Sequence, residues 1–397
     1  MAKDPIADAD GCKRDIAKFE ELGINTVRIY TVDNSADHDT CMNALADAGI
    51  YLALDVNSPH YSINRASVKD ANKSYNKDYL QSVFATVEMF AKYPNTLLFF
   101  SANEVINDDS TTSCAPYVKA VTRDIKSYIN ARGLRKIPVG YSAADVESNR
   151  YEMAAYMNCG DDAIRSDFFG FNDYSWCDPS SYTQSGWDQK VAKFSNYSIP
   201  IFLSEYGCIK GTRKFEEVAA LYGTDMTPVY SVGLVYEYSQ EQENFGLVKI
   251  NGNSVTEKDD FQALKSAYAA TKAPTGDGGY KSSGSPSTCP SKSDSWDVDM
   301  SEDQLPALPS GVSDFFKNGC GSGPGLQGKG SQDSGSTDVV LGNAADGAVT
   351  SGAAAPSSTG DKKGAAASVR PGELALAPLI CGAVLLMSSM FGGALLF

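Results

Sequence analysis

Two hydrophobic periods alternate along the first two thirds of the chain. Apolar residues spaced three or four apart predict amphipathic helices, and a clear example joins Val118, Val121, Ile125 and Ile129. Between the helices lie short, almost continuously apolar segments, which are typical of strands buried on both faces. These seven predicted strands cover 25–32, 50–56, 97–105, 138–143, 167–174, 199–207 and 232–238. The alternation predicts a parallel sheet covered by helices.

Such a sheet either closes into a barrel or stays open and doubly wound. No glycine-rich phosphate loop follows an early predicted strand, which disfavours the open sheet. A (β/α)8 barrel needs eight strands, and the pattern supplies one fewer. We therefore predict an α/β (β/α)8 TIM barrel over residues 1–274. Its first strand, and a secretory signal before that strand, are expected upstream of Met1.

The composition changes after Pro274, where Gly, Ser, Thr, Ala, Asp and Lys dominate. This predicts a short tail and a disordered C-terminal stalk over 275–373, broken by a more structured stretch at 295–320. Residues 374–397 are almost wholly apolar and follow a polar spacer and small residues. That order is typical of a GPI-attachment signal, and a spanning helix is the alternative.

Charge and histidine content limit the chemistry. The formal net charge of −15 disfavours nucleic acid as a partner, because phosphate binding needs basic patches. The only two histidines, His38 and His60, disfavour a Ser-His-Asp triad and a multi-histidine zinc site. We expect no metal and no cofactor, and catalysis that rests on carboxylates.

The cysteine pattern indicates disulfides. Nine cysteines are present, of which Cys381 lies in the apolar tail and none forms a CxxC pair. The other eight are Cys12, Cys41, Cys114, Cys159, Cys177, Cys208, Cys289 and Cys320. Two glycosylation sequons, Asn72-Lys-Ser and Asn196-Tyr-Ser, favour an oxidising, secretory route over a set of buried free thiols.

Two carboxylates follow strongly apolar predicted strands, Glu104 after 97–103 and Glu205 within 199–207. Functional side chains of a barrel lie at the carboxyl ends of its strands, and two carboxylates facing one crevice are what glycoside cleavage requires. One would act as an acid with a raised pKa and the other as a nucleophile, with Asn103 beside the sugar 2-hydroxyl. Strand-end carboxylates can instead be salt-bridge partners.

Segments throughout residues 4–274 resemble the fungal β-1,3-glucanosyltransferases of glycoside hydrolase family 72. The segments that carry the resemblance are 12–30, 51–59, 97–105, 139–150, 168–177, 199–208 and 233–239. Residues 295–309 resemble the tail of members that lack the cysteine-rich carbohydrate-binding module. The resemblance implies a (β/α)8 barrel and a retaining mechanism with Glu104 as proton donor and Glu205 as nucleophile.

The resemblance also implies the substrate-binding residues and the disulfides. The implied glucan-binding residues are Tyr30, Asn103 and Tyr236 on the donor side and Asp145 and Arg150 on the acceptor side. From the residues alone, the tyrosines would be packing residues, and the Asp-Arg pair a surface ion pair. The implied disulfides are Cys12–Cys41, Cys177–Cys208 and Cys159–Cys289, with Cys114 and Cys320 unassigned.

The expected activity is cleavage of β-1,3-glucan and transfer of the new reducing end to another glucan chain. The expected partners are donor and acceptor β-1,3-glucan chains, and the membrane through a GPI anchor. The expected location is the outer face of the plasma membrane and the cell wall. Two alternatives remain, a β-1,3-glucan hydrolase with the same site and an inactive wall protein that binds glucan.

Overall fold

A computed structural model describes residues 3–280, 284–300 and 303–348. Its main sheet has seven parallel strands that pair in chain order. These strands are β1 (Thr26–Ile29), β2 (Tyr51–Asp55), β3 (Thr96–Asn103), β4 (Val139–Ala144), β5 (Phe169–Asn172), β6 (Ile201–Tyr206) and β7 (Tyr230–Val235). All seven coincide with the predicted strands, and the parallel sheet forms a nearly closed barrel, so the predicted fold class is confirmed.

Helices cover the outside of this sheet. They are α1 (Ala9–Leu22), α2 (Asp39–Asp47), α3 (Val68–Ser74), α4 (Lys77–Ala91), α5 (Ala115–Ala131), α6 (Arg150–Asn158), α7 (Trp187–Phe194), α8 (Glu217–Leu221), α9 (Asp259–Ala270) and α10 (Ser313–Asn318). The sequence explains their ends. Asp8 caps α1 by accepting a hydrogen bond from the Gly11 N–H, and Gly23 ends it at φ 71°, a conformation that glycine adopts without strain.

A second cluster of buried apolar side chains comes from β2, β3 and β6 and from the residue directly before β5. Ala53, Leu98, Phe100, Phe168 and Phe202 form this cluster. The Phe100 ring lies 5.4 Å from that of Phe168 and 6.1 Å from that of Phe202, measured between centroids. Ala53, Leu98, Phe168 and Phe202 of this cluster also line the large cavity described next.

The two edge strands of the sheet are β1 and β7. A cavity of about 1970 Å³ is lined by residues of both strands, including Arg28 and Leu234. Val232 on β7 is 45% exposed, whereas the side chains of β6 are all buried. The sheet is thus nearly but not fully closed, and Val232 is an exposed apolar residue on one of its edge strands.

Three disulfides tie this fold together. Cys12 on α1 is bonded to Cys41 on α2, Cys177 to Cys208, and Cys159 to Cys289. They are the pairs that the family resemblance implies. The two cysteines that the sequence left unassigned, Cys114 and Cys320, are buried free thiols.

Residues 303–348, which we term the C-terminal strap, pack against the barrel. Before the strap, β8 (Val248–Asn251) and β9 (Ser254–Glu257) form a separate hairpin. The strap itself contains β10 (Gln304–Pro306), α10 and β11 (Leu341–Asn343), and β10 pairs with β11. Backbone carbonyls of the strap accept hydrogen bonds from barrel side chains, as Pro306 does from Arg123 and Ser331 from Asn76. Leu305 and Val312 are buried.

Packing of the strap extends the ordered chain beyond the prediction, which placed a more structured stretch at 295–320 and a flexible stalk after it. Glycines explain the difference, because here they permit close approach of two segments. A Cβ at Gly335 would lie 2.3 Å from the Lys73 carbonyl oxygen, and one at Gly323 would lie 2.2 Å from Asn34 Oδ1. Composition alone does not distinguish such glycines from those of a flexible linker.

The rest of the predicted stalk, and the predicted GPI-attachment signal at 374–397, lie outside the described residues. Within the described part of the chain, none of the helices combines the length and apolar character needed to cross a membrane.

Candidate active site

The two carboxylates lie at the carboxyl ends of two strands of the barrel, β3 and β6. Glu104 directly follows β3 and is 8% exposed, and Glu205 lies within β6 and is 1% exposed. Glu104 has φ 46°, in the left-handed region that costs a non-glycine residue about 1–3 kcal/mol. Its backbone is held there by its N–H bond to the Ser142 carbonyl and by Arg65, which donates to its carbonyl at 2.7 Å.

Glu205 is surrounded by hydrogen-bond donors. Tyr30 donates to Oε1 at 2.8 Å and Tyr174 donates to Oε2 at 2.7 Å. Arg28 Nη1 lies 3.3 Å from Oε1. Because all three groups favour the ionised carboxyl, they orient Glu205 and stabilise its negative charge.

Glu104 has a different environment. Its carboxyl accepts one side-chain hydrogen bond, from Asn172 Nδ2 at 2.8 Å. The same amide group also donates to Asn103 Oδ1 at 3.1 Å, and Arg28 Nη2 donates to that oxygen at 3.0 Å. The Oδ1 atom of Asn103 is therefore fixed, and its NH2 group has no hydrogen-bond partner within the described residues, which leaves it available to a ligand.

Arg28 connects these groups from below. Its guanidinium forms a two-pronged ion pair with Asp55, at 2.8 Å and 3.1 Å, and its side chain is only 3% exposed. The guanidinium also lies over the rings of Tyr30 and Phe100, 4.3 Å and 4.2 Å from their centroids. Burial on all sides fixes Arg28, so it can hold Asn103 and Glu205 in one arrangement.

Burial raises the pKa of both glutamates. It is the largest cause for Glu205, whose pKa rises to about 7 even though Arg28 acts in the opposite direction, and the charge of Glu104 raises it further. The pKa of Glu104 is also raised by burial, against the hydrogen bond from Asn172. Two carboxyls in electrostatic contact retain one proton more readily than two isolated ones.

Hydrogen bonding distinguishes the two carboxyls. The Glu205 carboxylate has two tyrosine donors and a guanidinium, whereas the side-chain donor to Glu104 is a neutral amide. Hydrogen bonds and the positive charge therefore compensate the ionised form better at Glu205 than at Glu104.

Aromatic rings line the approach to Glu205. The Tyr236 ring lies 6.1 Å from that of Tyr30, 6.5 Å from that of Tyr174 and 5.2 Å from that of Phe245, measured between centroids. Tyr30 and Tyr236 are only half-buried. Such rings offer flat apolar faces beside hydroxyl donors, a surface that suits the faces of sugar rings.

Asp145 and Arg150 lie elsewhere on the rim, after β4 and at the start of α6. Arg150 Nε is 2.6 Å from Asp145 Oδ1, and Lys190 Nζ is 2.5 Å from both Asp145 Oδ2 and Asp173 Oδ2. The ion pair that the residues alone suggested is therefore present, but it is largely buried and belongs to a larger network. The backbone N–H of Asp173, a member of this network, donates to the Glu205 carbonyl at 2.9 Å, but within the described residues no hydrogen bond joins the network to the carboxyl group of Glu104 or Glu205.

Several residues of the site were not singled out from the sequence, namely Arg28, Asp55, Asn172, Tyr174 and Phe245. A signal existed for Arg28, because a lone charge inside an apolar strand must face a partner. Asp55, Asn172 and Tyr174 lay at polar strand ends. Phe245 lies in an irregular segment after β7, where no hydrophobic periodicity predicts its position.

The described residues hold no cluster of His, Cys, Asp and Glu suited to a metal ion. The reactive groups of the site are the two carboxyls, Glu104 and Glu205, together with their hydrogen-bond donors.

Comparison with known proteins places these residues in a family. The sequence model of the family described as Glucanosyltransferase, glycoside hydrolase family 72, matches residues 1–272. The 1,3-beta-glucanosyltransferase gel1 of Aspergillus fumigatus is 59% identical over 393 residues, which cover 99% of this chain and 86% of gel1. The 1,3-beta-glucanosyltransferase GAS5 of Saccharomyces cerevisiae is 53% identical over 323 residues, 80% of this chain and 66% of that protein.

A solved structure agrees with these sequence comparisons. Gas2p of Saccharomyces cerevisiae in complex with laminaritetraose and laminaripentaose has a TM-score of 0.71 and 38% identity, covering 77% of this chain and 67% of that one. Sequence and fold therefore agree, and the chain belongs to the glucanosyltransferase family, glycoside hydrolase family 72.

Proposed function

We propose that this protein is a retaining β-1,3-glucanosyltransferase that elongates cell-wall glucan. The observation that carries the proposal is the asymmetric carboxyl pair, with two tyrosines and a guanidinium as donors to Glu205 and a neutral amide as the side-chain donor to Glu104. Relatives named 1,3-beta-glucanosyltransferases, and a relative that binds laminari-oligosaccharides, support the choice of substrate.

In the first step a Glu205 oxygen attacks the anomeric carbon of a donor glucan. The bond from that carbon to the bridging oxygen breaks, and Glu104 gives its proton to this oxygen, so the leaving chain departs neutral. In the second step an acceptor hydroxyl attacks the same carbon while Glu104 takes its proton. The bond to Glu205 breaks, and both carboxyls return to their starting states.

Asn103 would contact the donor in this scheme. Its free NH2 group lies beside Glu104, where the sugar 2-hydroxyl is expected, and such contacts strengthen in an oxocarbenium-like transition state. Tyr30 and Tyr236 would hold the donor ring on their aromatic faces. Asp145 and Arg150 would shape the acceptor side and would not transfer protons. Both carboxylate oxygens of Asp145 are already paired with cations, Arg150 and Lys190.

Transfer is expected to outrun hydrolysis at high glucan concentration. Water competes at about 55 M, but a well-held hydroxyl can reach an effective molarity of about 10⁵ M. A reduced laminari-oligosaccharide should therefore yield products longer than the starting chain, resolved by size. Shorter chains alone, at every substrate concentration, would identify a hydrolase with the same site.

The acceptor-side assignment is tested by Asp145→Asn, which keeps volume and removes the charge that binds Lys190 and Arg150. We expect about tenfold fewer elongated products while donor cleavage continues, because acceptor positioning weakens and water reaches the intermediate first. Asp162→Asn is the matched control, since Asp162 is an exposed partner of Arg165. An unchanged ratio of transfer to hydrolysis in Asp145→Asn would remove Asp145 from the acceptor side.

Loss of the Tyr30 hydroxyl is expected to shift the pH profile. Glu205 must be ionised to attack, so kcat/KM falls as the pH drops through its pKa. The Tyr30 hydrogen bond lowers that pKa, so Tyr30→Phe should raise it and move the acid limb of kcat/KM to higher pH. At a pH on that limb we expect a loss of about tenfold, the scale of one hydrogen bond to a charged group.

The control is Tyr93→Phe, since Tyr93 also donates to a carboxylate, Asp39, but outside the site. Its acid limb should match the wild type. An acid limb in Tyr30→Phe that stays in place, or moves to lower pH, would contradict the assignment of Glu205 as the group that must be ionised.

We propose further that the protein acts at the outer face of the plasma membrane and in the cell wall, held by a GPI lipid that is attached at a small residue upstream of the polar spacer, so that residues 374–397 are removed. The apolar character of this segment, behind a polar spacer, supports the proposal. A phosphatidylinositol-specific phospholipase should release the protein from fungal membranes. Recovery of a mature peptide that ends at Phe397 would contradict the proposal.

A further inference from the structure

The two glycosylation sequons lie in opposite environments. Asn72 is on α3, beneath the C-terminal strap. Its Nδ2 donates to the carbonyl of Ser336 at 2.8 Å and to that of Asp338 at 3.0 Å, and its Oδ1 accepts from the Tyr117 hydroxyl at 3.1 Å. Both N–H bonds of the amide are therefore used, and both hold the strap.

The serine of this sequon is also occupied. Ser74 is fully buried, its hydroxyl donates to the Ala71 carbonyl at 2.9 Å, and it accepts from the Asn64 N–H at 2.8 Å. Neither polar residue of the sequon is free in the folded protein.

An N-glycan at Asn72 and a docked strap exclude each other. In N-glycosylation the amide nitrogen bonds to the anomeric carbon of a lipid-linked oligosaccharide, the bond from that carbon to the pyrophosphate breaks, and the amide loses a proton. The product has one N–H instead of two, and a bulky sugar where the strap backbone lies. Ser336 of the strap lies 264 residues after Asn72 in the chain, so a glycan could be added to Asn72 before the strap is synthesised. Such a glycan would prevent the strap from docking.

Asn196 itself has no such contacts, although the serine of its sequon, Ser198, accepts a hydrogen bond from Asn158 Nδ2 at 3.0 Å. It is exposed in the turn after α7, and its side chain makes no hydrogen bond within the described residues. The turn itself is fixed, because the Tyr197 hydroxyl donates to the Ala154 carbonyl at 2.7 Å. A glycan on Asn196 would extend into solvent without displacing any of the residues that the structure describes.

We propose that Asn196 carries an N-glycan and that Asn72 stays unmodified and fastens the C-terminal strap. The proposal rests on the proposed route to the cell surface. Neighbouring contacts support the anchor role, because Lys73 pairs with Asp333 at 2.7 Å and the Gly335 N–H donates to the Lys73 carbonyl at 3.0 Å. Asn72 thus lies at the centre of a local docking point for residues 331–338.

The test uses the full chain secreted by fungal cells, with Asn196→Asp and Asn72→Asp as a matched pair. Glycopeptide mapping should find the glycan on Asn196 alone. Asn196→Asp should lose one glycan in mass, and Asn72→Asp should lose none. A glycan on Asn72, or its absence from Asn196, would overturn the proposal.

Limited trypsin digestion tests the anchor independently, through cleavage after the exposed Lys329 in the strap. Asn72→Asp replaces two N–H donors with an oxygen facing two carbonyls, so cleavage should be about tenfold faster. Asn196→Asp should be cleaved like the wild type. An unchanged rate in Asn72→Asp would overturn the anchor. Transferase activity of the same samples separates these outcomes from a failure of the proposed function.

Discussion

Glu205→Gln should lower kcat for glucan transfer by at least about a thousandfold, with the fold intact. Glutamine keeps the volume and can still bond to the tyrosines, but its amide cannot form the glycosyl ester. Where a covalent intermediate is required, loss of the nucleophile lowers kcat by several powers of ten. Turnover of a reduced laminari-oligosaccharide measures the effect, and circular dichroism checks the fold.

Glu104→Gln should cost about 10²–10⁴-fold, the range of general acid–base catalysis. The two variants are distinguished by the leaving group. An aryl β-glucoside of the donor chain needs little protonation, so glycosyl-enzyme formation in Glu104→Gln should recover on this substrate, whereas Glu205→Gln should stay inactive. Equal recovery of both variants, or wild-type rates in either, would contradict the assigned roles.

Removal of the Arg28 guanidinium should cost both stability and activity. In Arg28→Met the buried Asp55 loses its ion-pair partner, and breaking a buried pair costs about 3–5 kcal/mol of the free energy of unfolding. Asn103 and Glu205 lose the group that fixes them, and misplacement by about 1 Å can cost about 10²-fold in rate. Denaturant unfolding and kcat/KM measure the two effects.

A double variant separates these effects. Arg28→Met with Asp55→Leu removes both charges, so most of the lost stability should return, because an apolar pair can replace a buried ion pair. Activity should stay low, since Asn103 and Glu205 still lack the hydrogen bonds from the guanidinium. Arg165→Met, beside the exposed Asp162, is the control and should change stability by about 1 kcal/mol or less. Recovery of activity together with stability would contradict the proposal that Arg28 positions Asn103 and Glu205.

The strands and the strand-end glutamates were predictable because both depend on local pattern. Continuous apolar runs identify buried parallel strands, and parallel strands bring their carboxyl ends to one face of a barrel. Gly23 similarly ends α1, since glycine adopts the left-handed conformation found there without strain. The positions of Glu104 and Glu205 follow from these facts without knowledge of any contact.

The connections between side chains were not predictable in this way. Tyr30 and Glu205 are 175 residues apart in the chain, and Arg28 and Asn103 are 75 apart, so no local period reports their hydrogen bonds. The strap was misjudged because glycine and serine serve both flexible linkers and close backbone packing. Only the neighbouring surface, such as Lys73 opposite Gly335, decides which role applies.

The most direct test of the central proposal is to trap the glycosyl-enzyme and locate the bond. A laminari-oligosaccharyl fluoride with fluorine at the 2-position of the reacting sugar slows both steps, and a good leaving group lets the first step proceed, so the intermediate accumulates. Peptide mass spectrometry should find the added glucan mass on Glu205 in the wild type and in Tyr93→Phe, and on no residue in Glu205→Gln. A glucan mass on another residue, or its persistence in Glu205→Gln, would contradict the account.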